Sequence, residues 1–255
     1  MADWTLLTDE LDRWADSGRA AALWWRDDDA ARAVPALDRL LATRAETGAP
    51  LALAVIPATL EDDAAGRIDD AADTAVLQHG YAHRNHAAPD ARKAELGPGR
   101  RAADVLDELA TGRQRLAAAF RKRVMPVLVP PWNRVAGAVV GRLAGAGFTG
   151  LSAYGRRESA RPAPGLNQVN THVDIIDWRG SRGFVGDDAA LALAIAHLRA
   201  RRAGEADADE PTGLLTHHLV HDDAAWRFVA AFIAATKAHP AARWLSPADL
   251  FGAGP

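Results

Sequence analysis

The chain has 255 residues, 49% of them apolar and 25% charged, which is enough for one large core and an ordinary length for a single α/β barrel. Lys plus Arg number 30 and Asp plus Glu 33, a formal charge of −3 with no polybasic block, so neither nucleic acid nor a membrane surface is an expected partner. Cysteine is absent, which excludes disulfides and thiolate metal sites and leaves His and carboxylate side chains to hold any metal.

The amino end, Met1-Ala2-Asp3-Trp4, has neither a basic nor an apolar leader pattern, and no apolar run is long enough to span a bilayer, so a cytoplasmic protein is the expectation. Trp4, Leu7, Leu11 and Trp14 recur at helical steps and predict a helix over 4–17 ended by Gly18. The apolar run Ala21–Trp25 predicts a short strand ending in Arg26-Asp27-Asp28-Asp29, where adjacent carboxylates repel one another unless a cation joins them. A helix follows over Pro35–Thr47, then a buried strand from Leu51 closed by Pro57, then an acidic helix over 61–73.

Ala75-Val76-Leu77 reads as the end of a strand that leads into Gln78-His79-Gly80-Tyr81-Ala82-His83-Arg84-Asn85-His86. His79 and His83 are four apart, so one helical turn would bring both imidazoles to one side, able to hold one cation with a further ligand from elsewhere. A helix over 101–120 precedes the strand Val127–Val129, which stops at Pro130-Pro131-Trp132-Asn133-Arg134. Residues 135–146 read as a helix and Phe148–Leu151 as a strand. A segment with strand character, Asn167–Trp178, carries Asp174, Asp177 and Trp178. Asp187–Ala203 is a helix capped by Asp187 or Asp188, Gly213–Thr216 a strand running into His217-His218, and Asp222 or Asp223 caps a helix through Lys237. Ser246-Pro247 opens a short terminal helix. No internal repeat or linker divides the chain, so one domain over 1–255 is expected.

About seven strands thus alternate with helices, and polar clusters follow their carboxyl ends at Asp27–Asp29, His79–His86, Pro130–Arg134, Asp174–Trp178 and His217–His218. In a parallel barrel those ends share one face, where catalytic groups gather. Only one of His217 and His218 can face a pocket, because neighbouring strand residues point oppositely.

In this order the five clusters resemble the motifs of the polysaccharide deacetylases, a family of carbohydrate esterases. Asp28-Asp29 looks like its paired aspartates, with Asp27-Asp28 as the alternative register; His79 and His83 match its H-x-x-x-H; Pro130-Pro131-Trp132 its R-P-P-Y; Asp174–Trp178 its D-x-x-D-W; and Leu214–His218 its terminal histidine strand. The resemblance spans residues 26–218 and implies a distorted seven-stranded (β/α) barrel that removes acetyl groups from sugars or from related small amides. It implies a divalent metal on Asp29, His79 and His83, zinc first, with Co, Ni or Mn tolerated by the same donors. It implies Asp28 as general base, His217 or His218 as acid with Asp177 holding the imidazole, and an oxyanion facing the Trp132 N–H. Trp178, Arg134 and Tyr81 join Trp132 as substrate-facing candidates. The family's third-motif arginine is Val129 here, which leaves its task vacant or to Arg134 or Arg26. Two other readings stand beside this one: a barrel glycoside hydrolase working through paired carboxylates, which leaves His79 and His83 idle, and a carbohydrate-binding barrel without turnover.

Overall fold

The computed structural model describes residues 3–120 and 123–252. The first two and last three residues of the expected domain, which include Met1-Ala2 of the amino-end reading, lie outside the described residues. Among the described residues, nine strands form one sheet: β1 (Ala21–Ala30), β2 (Leu51–Val55), β3 (Thr74–His79), β4 (Val124–Val129), β5 (Gly150–Leu151), β6 (Asn167–Gln168), β7 (Val173–Asp174), β8 (Thr212–Thr216) and β9 (Ala242–Trp244). The helices between and around them are α1 (Thr5–Asp16), α2 (Pro35–Thr47), α3 (Asp62–Asp70), α4 (Ala102–Phe120), α5 (Gly137–Val140), α6 (Asp187–Ala203), α7 (Asp223–Ala238) and α8 (Pro247–Phe251). No helix among the described residues is long and apolar enough to cross a membrane.

The strand order is β6-β5-β4-β3-β2-β1-β8-β7, with β9 added against the start of β1, and every ladder is parallel. The two ends of that order are halves of one segment. Asn167–Gln168 pairs with β5, whereas Val173–Asp174 pairs with β8. The change of partner falls between neighbouring residues: the Thr171 N–H donates to Ala153 and the His172 N–H to Gly213. Counting the split strand once, seven positions ring the axis, and the expected distorted (β/α) barrel is the observed architecture.

Side-chain size sorts the two faces of the sheet. Trp24, Ala52, Ala54, Leu77, Val127 and Val129 pack together inside the barrel. Their neighbours Leu23, Trp25, Leu51, Leu53, Val55 and Val76 pack outward under the helices with Trp14, Phe228 and Phe232. Alanines at the inward positions of β2 make room for the indole of Trp24, and a Cβ on Gly213 would collide with that indole and with Thr171. Burial on both faces explains why β2 is an unbroken apolar run with every residue buried.

Several expectations from pattern shift. The first strand does not stop at Trp25 but continues through the charged residues to Ala30, because those charges find buried partners. The helix expected over 135–146 shrinks to α5 and a short 3-10 turn at Ala144–Ala146, in a stretch holding Gly137, Gly141, Gly145 and Gly147. α6 is preceded by Gly186 with no side-chain cap, and Asp187 and Asp188 sit in its first turn. α7 begins as expected, with Asp222 accepting the Ala225 N–H at 2.8 Å. The short strand β9 has no counterpart in the sequence reading.

Candidate active site

Alternation along β1 decides what reaches the mouth of the barrel. Trp24 points inward, so Arg26 and Asp28 do as well, while Trp25 and Asp27 point outward. Asp28 and Arg26 meet as a two-bond fork, Nε to Oδ1 at 2.8 Å and Nη2 to Oδ2 at 3.0 Å. Regular alternation would turn Asp29 away. Instead the ladder with β2 is irregular between Asp27 and Ala30, and Asp29 takes φ 75°, so its carboxylate also reaches the mouth.

There Asp29 Oδ1 lies 3.1 Å from His79 Nε2 and 3.3 Å from His83 Nε2. The two histidines do not share a helical turn. His79 ends β3, the chain reverses at Gly80 (φ 55°), and His83 returns in a left-handed conformation (φ 52°). A Cβ at Gly80 would collide with Glu95 and Pro131. Glu95, fully buried and not singled out by any motif, anchors this turn by accepting the amides of Tyr81 and Ala82 at 3.2 and 2.7 Å. A carboxylate that recurs near no histidine in sequence gives no signal of such a task.

His79 Nδ1 faces the Val129 carbonyl at 3.0 Å. A carbonyl only accepts, so Nδ1 carries the hydrogen and the Nε2 lone pair points at Asp29. A proton or a cation must sit between those two acceptors. Burial opposes charge on His79, but the Asp29 hydrogen bond and the Asp28 and Asp29 charges win and raise its pKa. Burial would likewise lift Asp29, yet His79, His217 and His83 hold it well below the usual carboxylate range. His83 is shifted down by burial and by its neighbour His79. One carboxylate oxygen and two imidazole nitrogens within 4.8 Å of one another fit a divalent cation bound from one side, with open positions toward solvent.

The two terminal histidines separate by the same alternation. His217 follows the inward Leu215 line and brings Nε2 to 4.0 Å from Asp28 Oδ2. His218 turns outward, where Nδ1 meets Asp27 Oδ1 at 2.6 Å. Asp27 Oδ2 also accepts the His218 amide and the Thr216 hydroxyl. Burial acts against both charges of this pair, but each partner outweighs it, lowering Asp27 and raising His218.

Two indoles flank the mouth. Trp132 packs on His83 with ring centres 4.3 Å apart, and Trp178 stands edge-on to His217 at 4.7 Å, 40% exposed. Trp132 and Asn133 both take left-handed conformations, φ 55° and 56°. Asp174 accepts the Trp178 indole N–H at 2.8 Å, and burial raises its pKa despite the nearby His217. Asp177 does not reach either terminal imidazole. Its carboxylate accepts the amides of Gly180 and Ser181, 2.9 and 3.0 Å away, within its own turn. Arg134 turns outward to the Lys93 carbonyl at 2.7 Å. Tyr81 is half-buried, and its backbone ties the turn to Glu95 and Ala58.

A second group of donors, His172, His197 and Glu210, lies buried between α6 and the start of β8. Its geometry is poor for a cation. The rings stack at 3.4 Å and 12°, so their lone pairs run side by side. The Gly213 N–H donates to His172 Nδ1, which keeps the hydrogen on the Nε2 that faces Glu210 at 3.3 Å.

No sequence-family model and no curated protein matches the chain. Solved structures do. One from Mycobacterium smegmatis, described as a polysaccharide deacetylase, superposes with a TM-score of 0.69 at 16% identity, over 89% of this chain and 87% of that one. The fold is that of the polysaccharide deacetylases. A family 4 acetyl xylan esterase from Clostridium thermocellum, solved with a cobalt ion, shares it at TM-score 0.53 and 12% identity, over 90% of each chain. So does a family 4 pseudoenzyme from Bacillus anthracis, at TM-score 0.55 and 15% identity, over 86% of this chain and 61% of that one. The deacetylase fold therefore accommodates both working and silent sites, and the decision rests on side chains.

Proposed function

We propose that the protein is a metal-dependent deacetylase that hydrolyses an acetyl group from an acetylated sugar or a related small amide. The observation that carries this reading is the meeting of Asp28 and His217, 4.0 Å apart, beside the cluster of Asp29, His79 and His83. A glycoside hydrolase has no use for that cluster.

Asp29, His79 and His83 hold the cation, with zinc favoured by the nitrogen-rich donor set and Co, Ni and Mn compatible with it. When bound, the cation supplies Lewis acidity that makes water a stronger acid and polarises a carbonyl. Asp28 takes the proton of the attacking water. The Trp132 N–H faces the oxygen that gains negative charge as the carbonyl carbon becomes tetrahedral. His217 Nε2 gives a proton to the departing nitrogen or oxygen as its bond to the acetyl carbon breaks, leaving acetate and a free amine or alcohol. His218 is committed to Asp27 and takes no part. Trp132 and Trp178 wall the acetyl group, and Asp174 fixes the Trp178 indole.

Acetate release from N-acetylglucosamine and its short oligomers tests the reading, with protein stripped by chelator and reloaded with Zn, Co or Mn. Turnover is expected only after reloading, with a loss of about 10²–10⁴-fold in Asp28→Asn. Equal rates from wild type and Asp28→Asn, or activity that survives chelation, would refute it. A protein that binds metal but never turns over would belong with the silent members of this fold.

A further inference from the structure

Arg26 is fully buried, and each of its five N–H groups has an acceptor. Nε and one Nη2 hydrogen go to Asp28 at 2.8 and 3.0 Å. The second Nη2 hydrogen goes to Asn133 Oδ1 at 3.0 Å, and Nη1 reaches Ser152 Oγ at 2.6 Å and the Ala153 carbonyl at 3.1 Å. A guanidinium taken out of water costs stability unless it is paired this completely, and strand formation does not call for one at an inward position. The acceptors come from three separate elements: β1 itself, the turn after β4, and the exit of β5. The turn after β4 carries Trp132 and Asn133, both in left-handed conformations that persist only where surroundings hold them. Val129, at the end of β4, offers no donor side chain, and Arg134 is occupied by Lys93.

We infer that Arg26 is a positioning residue that locks the general base and the oxyanion donor into one frame. One edge of its planar fork fixes both oxygens of Asp28. The adjacent Nη2 hydrogen holds Asn133, and through it the backbone that presents the Trp132 N–H. A lysine at 26 keeps the charge but has no planar fork for Asp28, and its three N–H donors cannot serve Asp28, Asn133, Ser152 and Ala153 together. The inference rests on the deacetylase reading above. It adds that the spacing between base and oxyanion donor is set by one side chain that touches no substrate.

The test compares metal-loaded wild type, Arg26→Lys and Asn133→Ala by acetate release, with kcat and KM measured separately and cobalt affinity followed by its absorption bands. A misplacement on the order of 1 Å costs about 10²-fold, so Arg26→Lys should lose roughly that in kcat while KM and cobalt affinity hold. Asn133→Ala should lose less, in the same parameter. Wild-type kcat in Arg26→Lys, or a loss confined to KM or to cobalt affinity, would overturn the assignment. If Arg26→Lys fails to fold, Asn133→Ala decides, and an unchanged kcat there overturns it. A wild type silent with every metal removes the deacetylase reading and this inference with it. A working wild type with an unimpaired Arg26→Lys removes the inference alone.

Discussion

His217 and His218 are adjacent, yet alternation assigns them opposite faces and opposite fates. Their variants should therefore differ in kind. His217→Ala removes a buried ring that stands 4.0 Å from the Asp28 carboxylate rather than in a close ion pair, and should cost less stability while losing turnover. His218→Ala strips Asp27 of its buried partner, and breaking such a pair costs roughly 3–5 kcal/mol. Asp27 keeps only the Thr216 hydroxyl and a backbone amide. Urea midpoints and acetate release on the two purified variants check this, and matching stability losses would show that the faces are misassigned. The sequence could pose this alternative but not resolve it, since the parity of a strand becomes known only when its packing partners are. The partner of Asp28 was likewise undecidable from sequence. Arg26 and Arg134 were both near in sequence to a motif, and only the fold turns one inward and the other toward Lys93.

Elements whose burial follows a simple period were legible: α2, β2 and α6 fall where apolar spacing and flanking Gly or Pro put them. The failures gather where charge or left-handed backbone overrides pattern. β1 runs on through Arg26-Asp27-Asp28 because each charge is matched inside, a pairing that hydropathy cannot see. The His79–His83 spacing suggested a helix, yet the link is a reversal at Gly80 anchored by Glu95. That anchor can be tested directly. Glu95→Gln keeps the size of the side chain but replaces one acceptor with a donor that faces an amide N–H. Cobalt affinity should weaken by about 10–100-fold, the usual cost of removing an outer support of a metal ligand. Secondary structure should be unchanged by circular dichroism. Full affinity in this variant would mean that the turn holds its shape without the carboxylate.

At the scale of the whole molecule, acid sensitivity should arise partly far from the mouth. Burial first, then the charges of His172 and Arg201, pushes His197 down to about 2, and burial lowers His172 as well. His197 is therefore neutral in the folded protein near pH 5, whereas in the unfolded chain it takes up a proton below about 6.5. Its contribution to stability is therefore complete above that value and falls as pH drops from it toward the folded pKa, by about 1.4 kcal/mol per pH unit. Urea midpoints at pH 7.5 and 5 should drop for wild type and drop less for His197→Phe; parallel slopes would exclude this origin. The same whole-molecule stability also supports the conformations around Asp29, His79 and His83. Asp29, His83, Trp132 and Asn133 all have positive φ, which for an ordinary side chain costs roughly 1–2 kcal/mol. Set against a typical margin of about 5–15 kcal/mol, that is a large share. A laboratory evolution campaign scored on heat tolerance alone would thus be rewarded for glycine at these positions, and would strip the Asp29 carboxylate and the His83 imidazole from the barrel's mouth while its survivors grew sturdier.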